Sequence, residues 1–173
     1  MEGNRSKLNK IYLTPHDNVK SKYDFTGYIN NKCTYYYVDS SKSLLEISDI
    51  LKTSEVIAVD SERSYFNSPS LLQICNNKFD LILIDLLKIG LTDIDNILIP
   101  VFSSKKILKL IFDKKNDLIH FERHNYQFTY SCLNIIDIQT LGIGRLSKTK
   151  VGLKKFCEEW NTSKNRNKHK IKN

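Results

Sequence analysis

The residues most able to do chemistry lie in the stretch VIAVDSERSYFNSPSLLQIC, from Val56 to Cys75. There an apolar, strand-like run leads into two acids at i and i+2, Asp60 and Glu62. In an extended chain that spacing sends both side chains to the same side. Like charges held so close repel unless a cation, usually a metal ion, sits between them. The plainer reading is a strand that ends at the surface with two solvated acids. A third acid, Asp117 in FDKKNDL, falls one turn into a helical pattern, where the helix dipole alone would favour it. His120 and His124 follow at i, i+4, a spacing that can hold Zn²⁺, but without the HExxH arrangement they fit a solvated helix face better. Arg63, Tyr65 and Phe66 come directly after the acid pair, placed either to meet phosphate and base or to pack the next hairpin.

These side chains need a scaffold, and the hydrophobic pattern supplies one. CTYYYV reads as a strand, then Ser40 or Ser41 caps a helix whose Leu44, Leu45, Ile47, Ile50 and Leu51 recur at helical spacing. VIAVD is the next strand. SLLQIC and LILID follow as two more, joined by the hairpin-length link NNKFD. A second helix runs from about Thr92 to Phe102 and is interrupted or ended near Pro100. ILKLIFD is a strand and KKNDLIHFERH a helix. NIIDIQTLGIGRL starts as a strand and turns helical, and VGLKKFCEEW is a last helical stretch. The order β-α-β-β-β-α-β-α-β-α predicts an α/β fold with a mixed sheet, antiparallel on one side and parallel on the other. Ligands in such sheets gather beyond strand ends where the strand order switches, and Asp60 sits at such an end.

Composition narrows the partners. The 173 residues with 40% hydrophobic content suit one globular domain. No apolar run approaches a membrane span, and the polar start MEGNRSKLNK has no signal-peptide core. Cys33, Cys75, Cys132 and Cys157 are scattered without a CxxC pair, which predicts reduced thiols inside the cell, in cytoplasm or nucleus, and no structural zinc. A net charge of +8 is concentrated in the tail NTSKNRNKHKIKN, with Lys164, Arg166, Lys168, Lys170 and Lys172 and no acid. Such a tail is either an arm that touches phosphates or a solubilising end.

Taken in order, VDSE, SPSLLQI, LILID, FDKKNDL and IIDIQTL resemble the ribonuclease D-like, Werner-exonuclease-like branch of the DEDD 3′–5′ exonucleases. The resemblance runs from about Cys33 to Trp160. It implies a ribonuclease H-like mixed sheet, antiparallel hairpin strands then parallel strands, with helices on both faces. It also implies hydrolysis of RNA or DNA from the 3′ end by two divalent ions, Mg²⁺ or Mn²⁺, which hard oxygen ligands select. By resemblance Asp60 and Glu62 are the first motif and Asp117 the second, together the catalytic and metal-binding acids. Arg63 and Tyr65 become substrate contacts. Asp85 and Asp137 also match family positions and are expected to be capping or hydrogen-bonding groups, with Gln73 supporting the sheet beside the site.

The family's third motif, a Tyr or His followed a turn later by Asp, has no counterpart, since no YxxxD or HxxxD follows Asp117. The expected organisation is a polar irregular lead-in over 1–32, a C-terminally incomplete exonuclease-like domain over 33–160 and a basic flexible tail over 161–173. Two functions remain open from sequence: a metal-dependent nuclease, weakened by the missing motif, and a noncatalytic nucleic-acid-binding or scaffold domain of the same descent.

Overall fold

The computed structural model describes residues 10–11, 34–65, 67–142 and 152–158. The rest of the lead-in, Phe66, and the basic tail lie outside the described residues. The elements run β1 (Lys10–Ile11), β2 (Tyr35–Val38), α1 (Ser41–Lys52), β3 (Val56–Arg63), β4 (Pro69–Asn76), β5 (Leu81–Asp85), α2 (Leu91–Phe102), β6 (Leu108–Ile111), α3 (Lys114–Arg123), α4 (Gln127–Tyr130), β7 (Ile135–Asp137) and α5 (Ile138–Gly142). Residues 153–158 are helical as well.

One mixed sheet holds the strands in the order β1-β2-β5-β4-β3-β6-β7. β3, β4 and β5 form the antiparallel meander that the two turn-separated runs predicted. β2 adds to β5 in parallel, and β6 and β7 add in parallel beyond β3. The sheet is therefore mixed as expected, with an antiparallel centre flanked by parallel pairs. β1, antiparallel to β2, falls inside the stretch expected to be irregular, and two residues carry too little pattern to announce a strand.

Strand alternation decides which face is core. Ile57 and Val59, Leu72 and Ile74, and Ile82 and Ile84 are buried, while their sequence neighbours are exposed or half-buried. The buried row joins Leu44, Ile47 and Leu51 of α1 and Ile94, Leu98, Val101 and Phe102 of α2 in a single core. α1 starts where its sequence allows it to. Ser40 caps it through a reciprocal pair of bonds with Ser43, satisfying backbone N–H groups that a helix start leaves open.

α2 does not stop at Pro100. The proline lies in its last turns and the helix continues to Phe102, with the Ser103 N–H donating to the Ile99 carbonyl at 2.8 Å. α4 is an element the hydrophobic pattern did not signal. The buried Asp95 of α2 holds its start, accepting from the Phe128 N–H at 3.0 Å. Phe128 then packs between Phe102 and Phe121 with ring centroids 4.7 and 5.3 Å away.

Neighbours on α1 test which face is core. Leu44 is fully buried and Leu45 is 53% exposed. Leu44→Ala should cost about 2–5 kcal/mol in urea unfolding, and Leu45→Ala should stay within about 0.5 kcal/mol. Equal losses at the two positions would contradict this packing.

Candidate functional site

β3 is longer than the sequence suggested. The apolar run VIAVD covers only its first part, and the strand runs on to Arg63 because β4 pairs with it antiparallel all the way, Asp60 against Gln73 and Glu62 against Leu71. A register shift at Glu62/Arg63 marks a bulge, where Arg63 faces Pro69, a residue with no N–H to give. The turn closes through the Ser64 N–H to the Ser68 carbonyl at 2.9 Å, with Asn67 in the left-handed region at φ 59°. β6, on the other side of β3, stops earlier: its last pair is Ile111 with Val59. Asp60 to Arg63 therefore have a strand on one side and, on the other, the helix that follows β6.

Alternation splits these residues into two rows. Asp60 and Glu62 are exposed and share one row with Ala58, as the i, i+2 spacing requires. The Ser61 backbone N–H donates to Asp60 Oδ1 at 2.9 Å, and Gln73 Nε2 donates to Glu62 Oε1 at 3.3 Å. Gln73 thus supports the acid pair from the next strand. Ser61 and Arg63, on the other row, reach α3. Ser61 Oγ donates to Asp117 Oδ1 at 3.5 Å, and Arg63 Nη1 lies 2.7 Å from His120 Nε2.

Asp117 is half-buried in the first turn of α3. A helix dipole there would hold its carboxyl acidic. Instead its pKa is pushed up from 3.8 to about 7, first by burial, then by the charges of Asp60 and Asp113, with Ser61 and Arg63 opposing. Asp60 and Asp117 therefore meet electrostatically at the end of β3, although they come from different elements. The three expected ligands do not converge into a closed set: among the described residues no group of three or more His, Cys, Asp or Glu is placed to hold a metal ion. The split between rows explains this, since Glu62 leans toward Gln73 while Asp117 approaches from α3.

The remaining candidates divide cleanly. His120 accepts from Arg63, and its pKa is lowered by burial and by the positive neighbours Arg63, Arg123 and His124. His124 Nδ1 turns back onto the His120 carbonyl at 2.8 Å. The two imidazoles have separate partners, His120 with Arg63 and His124 with the backbone of its own helix. Tyr65, at the turn, is 95% exposed. Asp85 and Asp137 are hydrogen-bonding groups as expected. Asp85 accepts from the Tyr37 hydroxyl at 2.5 Å and from the Leu87 N–H at 3.0 Å. Asp137 accepts from Gln139 N–H at 2.9 Å and Asp113 N–H at 3.3 Å, tying the start of α5 to the β6–α3 corner. Sequence reasoning missed the Arg63–His120 contact and the role of Ser61. The one available signal was His120 standing three residues after Asp117, on the same helix face.

Residues 35–173 match the family model described as 3′–5′ exonuclease. The chain belongs to the 3′–5′ exonuclease family. Protein RRP6-like 3 of Arabidopsis thaliana is 34% identical over 107 residues, 56% of this chain and 12% of that protein. Escherichia coli RNase D, an exoribonuclease involved in structured RNA processing, superimposes with a TM-score of 0.61 at 21% identity, over 73% of this chain and 33% of that one. The EXD2 exonuclease domain soaked in Mn and GMP gives a TM-score of 0.54 at 19% identity, over 63% and 58%. The chain thus spans about an eighth of the length of RRP6-like 3 and a third of that of RNase D. This exonuclease domain shares its mixed sheet with those structures, and β3 carries its VDSE motif past the end of β6.

The acid crowding has a thermodynamic signature. An acid whose folded pKa is raised binds its proton more tightly folded than unfolded, so the fold loses stability as pH rises from about 4 through about 7. Asp117→Asn removes that loss. Each pKa unit is worth about 1.4 kcal/mol, and water screens a half-buried group, so a gain of about 1–2 kcal/mol is expected near pH 8. Near pH 4, where the native carboxyl is already protonated, the two proteins should unfold alike in denaturant melts. A constant offset at both pH values would contradict the crowding.

Proposed function

We propose that this domain removes nucleotides from the 3′ end of RNA or DNA by metal-dependent hydrolysis of phosphodiester bonds. Asp60, Glu62 and Asp117 are the catalytic and metal-binding acids, and Arg63 and Tyr65 meet the strand. The carrying observation is that acids from β3 and α3 load negative charge onto one strand end, to the point that Asp117 is pushed up to about 7. Family membership supports the reaction class.

The residues present fit a hard divalent cation. Their donors are carboxylate oxygens, and Mg²⁺ is commonly held by one or two carboxylates with waters and substrate phosphates completing its shell. Asp60, Glu62 and Asp117 would hold two Mg²⁺ or Mn²⁺ ions, in keeping with the EXD2 exonuclease domain having been soaked in Mn. When bound, such ions activate water and stabilise charge on the departing 3′-oxygen. The protein's own part is orientation. The Ser61 N–H fixes one oxygen of Asp60, Gln73 fixes one of Glu62, and Ser61 Oγ steadies Asp117. Arg63 sets a positive charge beside this acidic strand end, and Tyr65 offers an exposed ring on which an unpaired base can stack.

A second reading keeps the binding and drops the cleavage. It is favoured by Glu62 turning to Gln73 while Asp117 approaches from α3, so that three ligands do not converge among the described residues. One experiment separates the two. Single strands labelled at the 3′ or the 5′ end are incubated with Mn²⁺ and either the native chain or Asp60→Ala. Shortening from the 3′ end that falls ~10²-fold or more in the variant supports the nuclease. Because Asp60 is exposed and its charge repels that of Asp117, Asp60→Ala should unfold no earlier than the native chain. Retained strand binding with no product identifies the binding module, and undiminished cleavage by Asp60→Ala removes Asp60 from the mechanism.

A further inference from the structure

Arg63 stands beside Asp117 closely enough to oppose the rise in its pKa, yet among the described residues it forms no ion pair with a carboxylate. Its guanidinium is engaged by a neutral acceptor, His120 Nε2 at 2.7 Å. The bulge at Glu62/Arg63 breaks the strand just where this side chain leaves it, and bulges re-aim side chains. His120 lies one turn after Asp117 on α3, so the helix that brings the acid also brings the group that fixes the cation. An imidazole acceptor occupies one edge of the planar fork, takes none of its charge and, among the described residues, is the one hydrogen-bond partner of the guanidinium. A carboxylate in the same place would have cancelled the charge.

We propose that Arg63, held in place by His120, is a preset clamp for one backbone phosphate of the nucleic-acid strand, with His120 as a positioning residue that acts through Arg63. The proposal rests on the nuclease-or-binding reading above and adds the group that fixes the strand. The guanidinium fork matches the paired oxygens of a phosphodiester in two parallel bonds. Fixing the side chain before the strand arrives reduces the ordering cost of binding.

The test is strand binding by the full 173-residue chain, measured in EDTA by fluorescence anisotropy over a salt series. Labelled oligoribonucleotide and oligodeoxyribonucleotide of equal length form two arms. Losing one phosphate contact lowers the log–log salt slope by about 0.7 for a single strand. Arg63→Ala should show that drop and bind about tenfold more weakly, in at least one arm. Arg63→Lys keeps the charge and loses the fork, so it should retain the slope and lose affinity. His120→Ala should weaken binding about threefold at an unchanged slope, because the charge remains but is no longer held. His120→Gln supplies another acceptor and should recover most of the loss. A purely structural role for His120 predicts a lowered unfolding midpoint and no rescue by Gln, which would overturn the positioning role. Native affinity and slope in Arg63→Ala overturn the clamp, and if Mn²⁺-dependent shortening by the native chain persists, the nuclease reading survives that result. A native chain that neither binds nor shortens either strand overturns both.

Discussion

The site depends on a mismatch between the two neighbours of β3. β4 follows it to Arg63, whereas β6 leaves after Val59. β6 ends for a local reason. Asp113 adopts φ 58° in the left-handed region, which Asp tolerates better than most residues, and its N–H turns to Asp137 instead of continuing a ladder. The chain then enters α3 at Lys114. Had β6 continued, another strand would lie along Asp60 to Arg63, and neither Asp117 nor His120 could reach them. The same corner draws in β7, whose Asp137 accepts both the Asp113 N–H and the first N–H groups of α5. A structural acid thus positions the candidate ones without touching them.

The consequence of that placement is chiefly electrostatic. The helix start should favour an ionised Asp117, an effect worth at most about 2 kcal/mol and usually less. Burial and the charges of Asp60 and Asp113 act the other way and prevail, since the carboxyl moves up and not down. The acids of this strand end therefore weaken the fold in which they sit. Sites whose groups are chosen for a reaction commonly carry such a cost, and a strongly perturbed acid at a strand end is a functional signal with a physical cause. An acid kept for stability alone would have been placed as Asp85 is, against the Tyr37 hydroxyl and near the Lys88 ammonium, which hold its pKa below the usual value.

The fold was legible wherever burial imposed a period. YYYV, VIAV, SLLQIC and LILID read as strands because burial fills them with short β-rich apolar runs, and α1 repeats at helical spacing because one of its faces is core. Elements whose cause is tertiary were not legible. α4 exists because Asp95, more than thirty residues earlier, caps its backbone, and β1 because β2 offers an open edge. The end of α2 at Phe102 was legible, and Pro100 does not interrupt the helix because so near its end few helical bonds remain for it to remove. Within the site, Asp60 and Glu62 announced themselves because both sit on one strand, and the extension to Arg63 did not because it is imposed by β4. Arg63 and His120 were each visible, but a contact across 57 residues leaves no spacing in the sequence.

That contact also bears on how an acidic site can receive an anion. A strand end carrying Asp60, Glu62 and Asp117 repels a phosphate until positive charge compensates it, and a mobile arginine nearby would collapse onto a carboxylate. Two unit charges about 4 Å apart attract by about 4 kcal/mol at an effective dielectric of about 20, so an unrestrained guanidinium would spend its charge within the site. A neutral imidazole resists this by geometry, holding the fork by one hydrogen bond while taking none of its charge. The arrangement needs α3 at a fixed distance from β3, and the β6–α3 corner fixes it. The early end of one short strand therefore sets the position of the acids, their mutual repulsion and the orientation of the cation beside them.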